Sequence, residues 1–81
     1  MPDRLAELRA GVETRLREQI ERHLRVNPHA NLARAIEIQM QEERDRLERL
    51  IDEAEDDEAE ALLALLAWLP QLELQLKRRK R

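Results

Sequence analysis

Residues 61–81 read ALLALLAWLPQLELQLKRRKR, and the first nine of them, Ala61 to Leu69, decide the fold. Wound as a helix, this run is apolar on almost every side, so it cannot lie on a solvated surface and must be enclosed by other helices. It is also far shorter than the roughly 20 residues that a membrane span needs. Pro70 follows. It has no amide hydrogen to donate and its ring crowds the carbonyl of Leu66, which predicts a kink or a break. Beyond it, Leu72-Glu73-Leu74-Gln75-Leu76 alternates with the period of a strand. No second strand-like segment exists to pair with it, and a lone strand is not stable. The pattern therefore predicts a kinked third helix over about residues 58–79, running into a basic tail at 77–81.

Working back from this helix, the stretch DEAEDDEAE at residues 52–60 makes a turn, with Asp57 and Glu60 spaced as an acidic capping box that opens helix 3. Before the turn, Leu32, Ile36, Met40, Leu47, Leu50, Ile51 and Ala54 form a stripe close to heptad spacing, which predicts a second helix over about residues 28–55. Either Asn27, with Pro28 in the first turn, or Asn31 can cap it. The first helix opens at Asp3 and ends near Val26, because Asn27 precedes a proline and is pushed out of the helical region. Its stripe is Leu5, Leu8, Val12, Leu16, Ile20 and Leu24. Pairs at the favourable four-residue offset lie outside the stripes: Glu13/Arg17, Glu18/Arg22, Glu21/Arg25, Glu42/Arg46 and Asp45/Arg49.

The reading is an all-α, three-helix up-down-up bundle in a single domain over residues 1–81, its apolar third helix completed by homodimerisation. The expected core is Leu5, Leu8, Val12, Leu16, Ile20, Ile36, Met40, Leu47, Leu50, Leu62, Leu66 and Leu69, with Leu65, Leu72 and Leu76 on the same inward side of helix 3.

Composition removes most chemistry. The chain has 81 residues, 41% of them charged and 42% hydrophobic, which suits one small folded domain and neither a disordered tail nor a membrane protein. It has no Cys, no Ser, no Tyr and no Phe; Thr14, Gly11 and Trp68 are each the only residue of their type. Disulfides, thiolate and serine nucleophiles, cysteine-based zinc sites and glycine-rich phosphate loops are thereby excluded. Both lysines lie in the terminal tail, and Thr14 falls on the outer face of helix 1. An enzyme is not expected, nor is a cofactor or a small-molecule substrate. The N-terminus lacks the basic-then-apolar pattern of a secretory signal, so a soluble, cytoplasmic protein is expected.

Charge is balanced overall, at −3, and unbalanced locally. Residues 1–51 hold ten bases and ten acids, residues 52–60 hold seven acids and no base, and the last five residues are all basic. The acids lack the alternating spacing and the glycine of a calcium loop. Asp56, Asp57, Glu58 and Glu60 instead suit the positive end of helix 3. The tail Lys77, Arg78, Arg79, Lys80 and Arg81 offers an electrostatic contact, but without aromatic stacking partners or a broad basic face, nucleic acid is not the expected partner.

Two polar residues fall on core stripes, His23 in helix 1 and Glu43 in helix 2. In an antiparallel hairpin turning near residues 28–30, Glu43 comes level with about residue 14 or 15, which makes Arg15 its partner. His23 comes level with about Arg34, roughly 13 Å further along the rise, too far to act with Glu43 as an acid–base pair. With two histidines and no cysteine, no metal site is expected.

Self-association is the strongest functional signal. Leu63 and Leu74 project to nearly the opposite side of helix 3 from its inward leucines, and their separation of eleven residues brings them back to nearly one angle. A second seam through them, with Trp68 at its margin, is buried in a twofold dimer, so the expected partner is a second copy of the chain. If the two third helices run antiparallel, the basic tail of each meets the acidic turn of the other.

Helices of similar length opened by Asp3, Asn27 and Asp57, short turns at NPHAN and EAEDD, and the absence of any chemical motif make the whole chain resemble de novo designed helical bundles. The resemblance rests on patterning and implies a structural or self-assembling protein without catalytic activity. Gly11 within a helix, Pro70, thirteen Arg against two Lys, and His23 and Glu43 on core stripes depart from design rules. A natural alternative is a small regulatory adaptor that binds a partner helix in an apolar groove and uses its basic tail on nucleic acid or an acidic surface.

Overall fold

Asn27-Pro28 ends the first helix, as the restriction on a residue before proline requires. The computed structural model describes residues 4–78, which form three helices: α1 (Arg4–Val26), α2 (Leu32–Glu53) and α3 (Asp56–Arg78). In the first connection the Asn27 amide and side chain both donate to the His23 carbonyl, at 2.9 and 3.2 Å, closing the last turn of α1. Asn31, in extended backbone, then accepts from the Arg34 amide at 3.1 Å and caps α2. Of the two candidate caps, Asn31 is the one used. The second helix therefore starts at Leu32, later than the expected residue 28, and Pro28 lies in the turn.

The second connection is only Ala54-Glu55. The Ala59 amide donates to the Glu55 carbonyl at 2.7 Å, so α3 begins at Asp56, and Asp57 lies inside its first turn instead of capping it. The proposed cap at Asp3 lies outside the described residues. Residues 72–76, which alternate like a strand, are helical, and α3 passes through Pro70 without a break. Pro70 is exposed, so its ring projects away from the core.

Ion pairs mark the up-down-up order: Arg4 at the start of α1 meets Glu58 at the start of α3, and Lys77 at the end of α3 meets Glu37 in α2. The core lies along the inner faces, with Val12, Leu16 and Ile20 from α1, Ile36, Met40 and Leu47 from α2, and Leu62, Leu65, Leu69, Leu72 and Leu76 from α3. Leu5, Leu8, Leu24, Leu32, Ile51, Ala54, Leu66 and Trp68 pack half-buried against it. Packing is most extensive between α2 and α3.

Leu50 departs from the expected core, at 39% exposed. It comes level with the first turns of α1, where Leu5 and Leu8 are only half-buried, so this end of the α1–α2 seam closes loosely. Ala35 and Gln39, which belong to no predicted stripe, are buried in α2.

Candidate interaction surface

The side of α3 that faces away from the core carries Leu63, 51% exposed, and Leu74, 58% exposed. Between them, Ala67 and Pro70 are exposed on the same side. The steps of four, three and four residues keep all four within about 60° of one another on the helix. They form a narrow apolar stripe at the spacing of a coiled-coil seam. Among the described residues, no helix is long and apolar enough to cross a membrane.

Trp68 is not part of this stripe. It lies roughly 130° around the helix, packed half-buried against the core, with the Arg9 guanidinium 5.4 Å from its ring centroid. The structure brings Leu63 and Leu74 onto one face and places Trp68 on the flank of α3 that α1 covers.

Charged residues bracket the stripe. At one end Asp56, Asp57 and Glu58 occupy the first turn of α3, where carboxylates suit the positive helix terminus. Arg4 donates through one nitrogen to both oxygens of Glu58, at 2.8 and 3.1 Å, and this hydrogen bond raises the guanidinium pKa. At the other end the Lys77 ammonium lies 3.1 Å from Glu37 and 3.2 Å from Glu73. Hydrogen bonding to Glu37, and next to Glu73, raises the Lys77 pKa. Lys77 is thus bound within its own chain. Glu60 and Arg78 are exposed, and neither side chain has a partner among the described residues. Arg79, Lys80 and Arg81 lie outside the described residues.

On the other side of the molecule, Glu43 is 3% exposed and is the most deeply buried charge among the described residues. Arg15, the partner that the hairpin register assigns, donates to its Oε2 at 2.6 Å. Arg46 forks across both oxygens, at 2.5 Å to Oε2 and 3.3 Å to Oε1. Burial alone pushes this carboxyl pKa up, but the hydrogen bonds from Arg46 and Arg15 outweigh it and hold the pKa below the ordinary range. The carboxylate occupies the positions an outside anion would take, and a proton on it would remove the charge to which both arginines are bonded. Its geometry suits fixing the register of α1 on α2, not acid–base work. Arg15 Nε is buried without a partner.

Arg46 therefore serves Glu43, three residues back, and not Glu42, four residues back. Of the other four-residue pairs, Glu13 and Arg17 meet at 2.5 to 3.0 Å, while Asp45 accepts from Gln41. His23 is half-buried, and His29 and Thr14 are exposed. Among the described residues there is no cluster of three His, Cys, Asp or Glu side chains set to hold a metal ion. Ala67 and Pro70 as members of the stripe, Arg46 as a partner of Glu43 and Arg9 over Trp68 escape the sequence reading: the first two are legible as a heptad continuation of Leu63 and Leu74, whereas Arg9 depends on which flank of α3 receives α1.

Comparison with protein-family models, with curated proteins and with solved structures returned no match to this chain.

Proposed function

We propose that this chain is a structural, non-catalytic bundle that self-associates through the outer stripe of α3, in keeping with its resemblance to designed helical bundles. The observation that carries the reading is the alignment of Leu63, Ala67, Pro70 and Leu74 on the side of α3 that α1 and α2 leave open. The inner leucines of α3 are already covered, so these four have no role in closing the monomer. A twofold contact needs only one self-complementary patch, and a stripe at coiled-coil spacing is one.

The test is molar mass by light scattering on the intact chain and on the double variant Leu63→Glu, Leu74→Glu. The reading expects a dimer that becomes a folded monomer in the variant. A monomeric intact chain, or a variant that still dimerises, rejects it.

A second reading, the adaptor, draws on one cleft. Ile20, Leu24, Leu32, Ile36 and Leu76 line a space of about 380 Å³ near the α1–α2 turn, rimmed by Arg17 and Glu21. It has the size for one or two apolar side chains of a partner and lacks the length of a groove for a whole helix. Titration with an apolar dye, read against Leu24→Glu, tests it.

A further inference from the structure

We infer that two copies dock antiparallel through α3, about a twofold axis between Ala67 and Pro70, with Glu60 of each copy beside Arg78 of the other. This rests on the self-association reading and specifies its geometry.

The stripe reads large, small, small, large along α3, and it does so symmetrically. Leu63 and Leu74 share a midpoint with Ala67 and Pro70, so reversing the helix about that point superimposes the stripe on itself. The palindrome allows an antiparallel pair to set large against large at both ends of the stripe and small against small at its centre. In the antiparallel register Leu63 meets the partner's Leu74 and Ala67 meets the partner's Pro70. The two small residues at the axis let the helices approach toward the short end of the usual interaxial range.

Charge selects the same orientation. A parallel pair sets Asp56 and Glu60 beside their own copies, and Arg78 beside the other Arg78. Like charges in such contact are unfavourable, and parallel helix dipoles add to the penalty. Turning one copy over brings Glu60 level with the partner's Arg78, to within one residue of the same midpoint. Both residues lie on the same flank of the stripe, and a twofold axis across the seam puts equivalent flanks side by side. Both are exposed and without a side-chain partner among the described residues, so neither gives up an ion pair to meet the other.

The chain has no cysteine, so introduced thiols are unique. Leu63→Cys and Leu74→Cys each alter an exposed side chain and leave the core intact. Both variants are first weighed by light scattering, then oxidised alone and mixed. The expected result is covalent dimer in the mixture, joining residue 63 to residue 74, and none from either variant alone. Cross-linking of Leu63→Cys to itself overturns the orientation, and a dimeric mass with no cross-link in any sample overturns the register. Monomeric mass for the unaltered chain defeats the self-association reading itself and is distinguishable from both. A charge exchange supplies the second arm: Glu60→Arg weakens the dimer, and adding Arg78→Glu restores it. A double variant no tighter than the single one removes the Glu60–Arg78 pairing.

Discussion

The Arg9 guanidinium sits over the Trp68 ring, 5.4 Å from its centroid, and joins the first half of α1 to the flank of α3. The sole tryptophan therefore reports the docking of α1 and not events on the outer stripe. Arg9→Ala should red-shift its emission and lower stability by about 0.5–1 kcal/mol, the range for an exposed cation–π contact. Leu63→Glu with Leu74→Glu should leave the emission maximum where it is. A shift in that double variant, with none in Arg9→Ala, would reverse the assignment of Trp68.

Glu43 gives the bundle an acid-sensitive component. Its folded pKa is depressed by Arg46 and Arg15, so the stability it contributes is present above the unfolded value near 4.5 and is lost as pH falls through the folded value. Urea titrations should show the intact chain losing stability below about pH 4.5 more steeply than Glu43→Leu. At pH 7 that variant should fall within about 1 kcal/mol of the original, since replacing a buried ion pair with an apolar side chain is often neutral or better. Arg46→Ala, which keeps the buried carboxylate and removes its two-pronged partner, should cost about 1.5–3 kcal/mol. Equal acid sensitivity in the intact chain and Glu43→Leu would refute this account.

Gly11 lies in the interior of α1, exposed, and a methyl group added there meets nothing within 4 Å. Gly11→Ala should stabilise the fold by about 0.5–1 kcal/mol, because the unfolded chain loses freedom and the folded one loses nothing. Thermal melting at fixed protein concentration should rise by several degrees, with far-ultraviolet circular dichroism otherwise unchanged. A fall in melting temperature would mean that Gly11 serves a contact the monomer does not contain.

Pro70→Ala returns a backbone amide to the middle of α3 and restores the bond to the Leu66 carbonyl. Pro70 is exposed and inside a continuous helix, so the gain should approach the roughly 3 kcal/mol by which proline disfavours a helix interior relative to alanine. Alanine is also small, and the seam should survive the change. Light scattering and thermal melting read the two effects separately; loss of the dimer with gain in stability would show that the proline ring is itself part of the contact.

The number of helices, their order and most of the inward stripe were legible because each depends on local matters: hydrophobic period, a proline, an asparagine at a helix start. The partnership of Arg15 with Glu43 was legible for the same reason, since a hairpin of known turn fixes which residues come level. Three residues were placed differently by the fold. Leu50 has the spacing of a core residue, but its burial depends on how firmly the start of α1 closes over it. Trp68 lies between two faces of α3, and only the position of α1 decides which one claims it. Asp57 sits in a run of carboxylates that all resemble caps, and the two-residue length of the link settles the choice in favour of an earlier start.

The three interhelical seams are unequal. α1 buries only Val12, Leu16 and Ile20, whereas α2 and α3 share the most extensive packing and a link too short to part them. This gives the bundle an order of disassembly. Fluctuations that release α1 alone cost less than global unfolding, so in hydrogen–deuterium exchange the α1 amides should lose protection first, with the α2–α3 hairpin persisting as the last cooperative unit. Because the outer stripe belongs to that hairpin, a second copy seated on it would slow the exchange of α3 and leave the opening of α1 almost untouched.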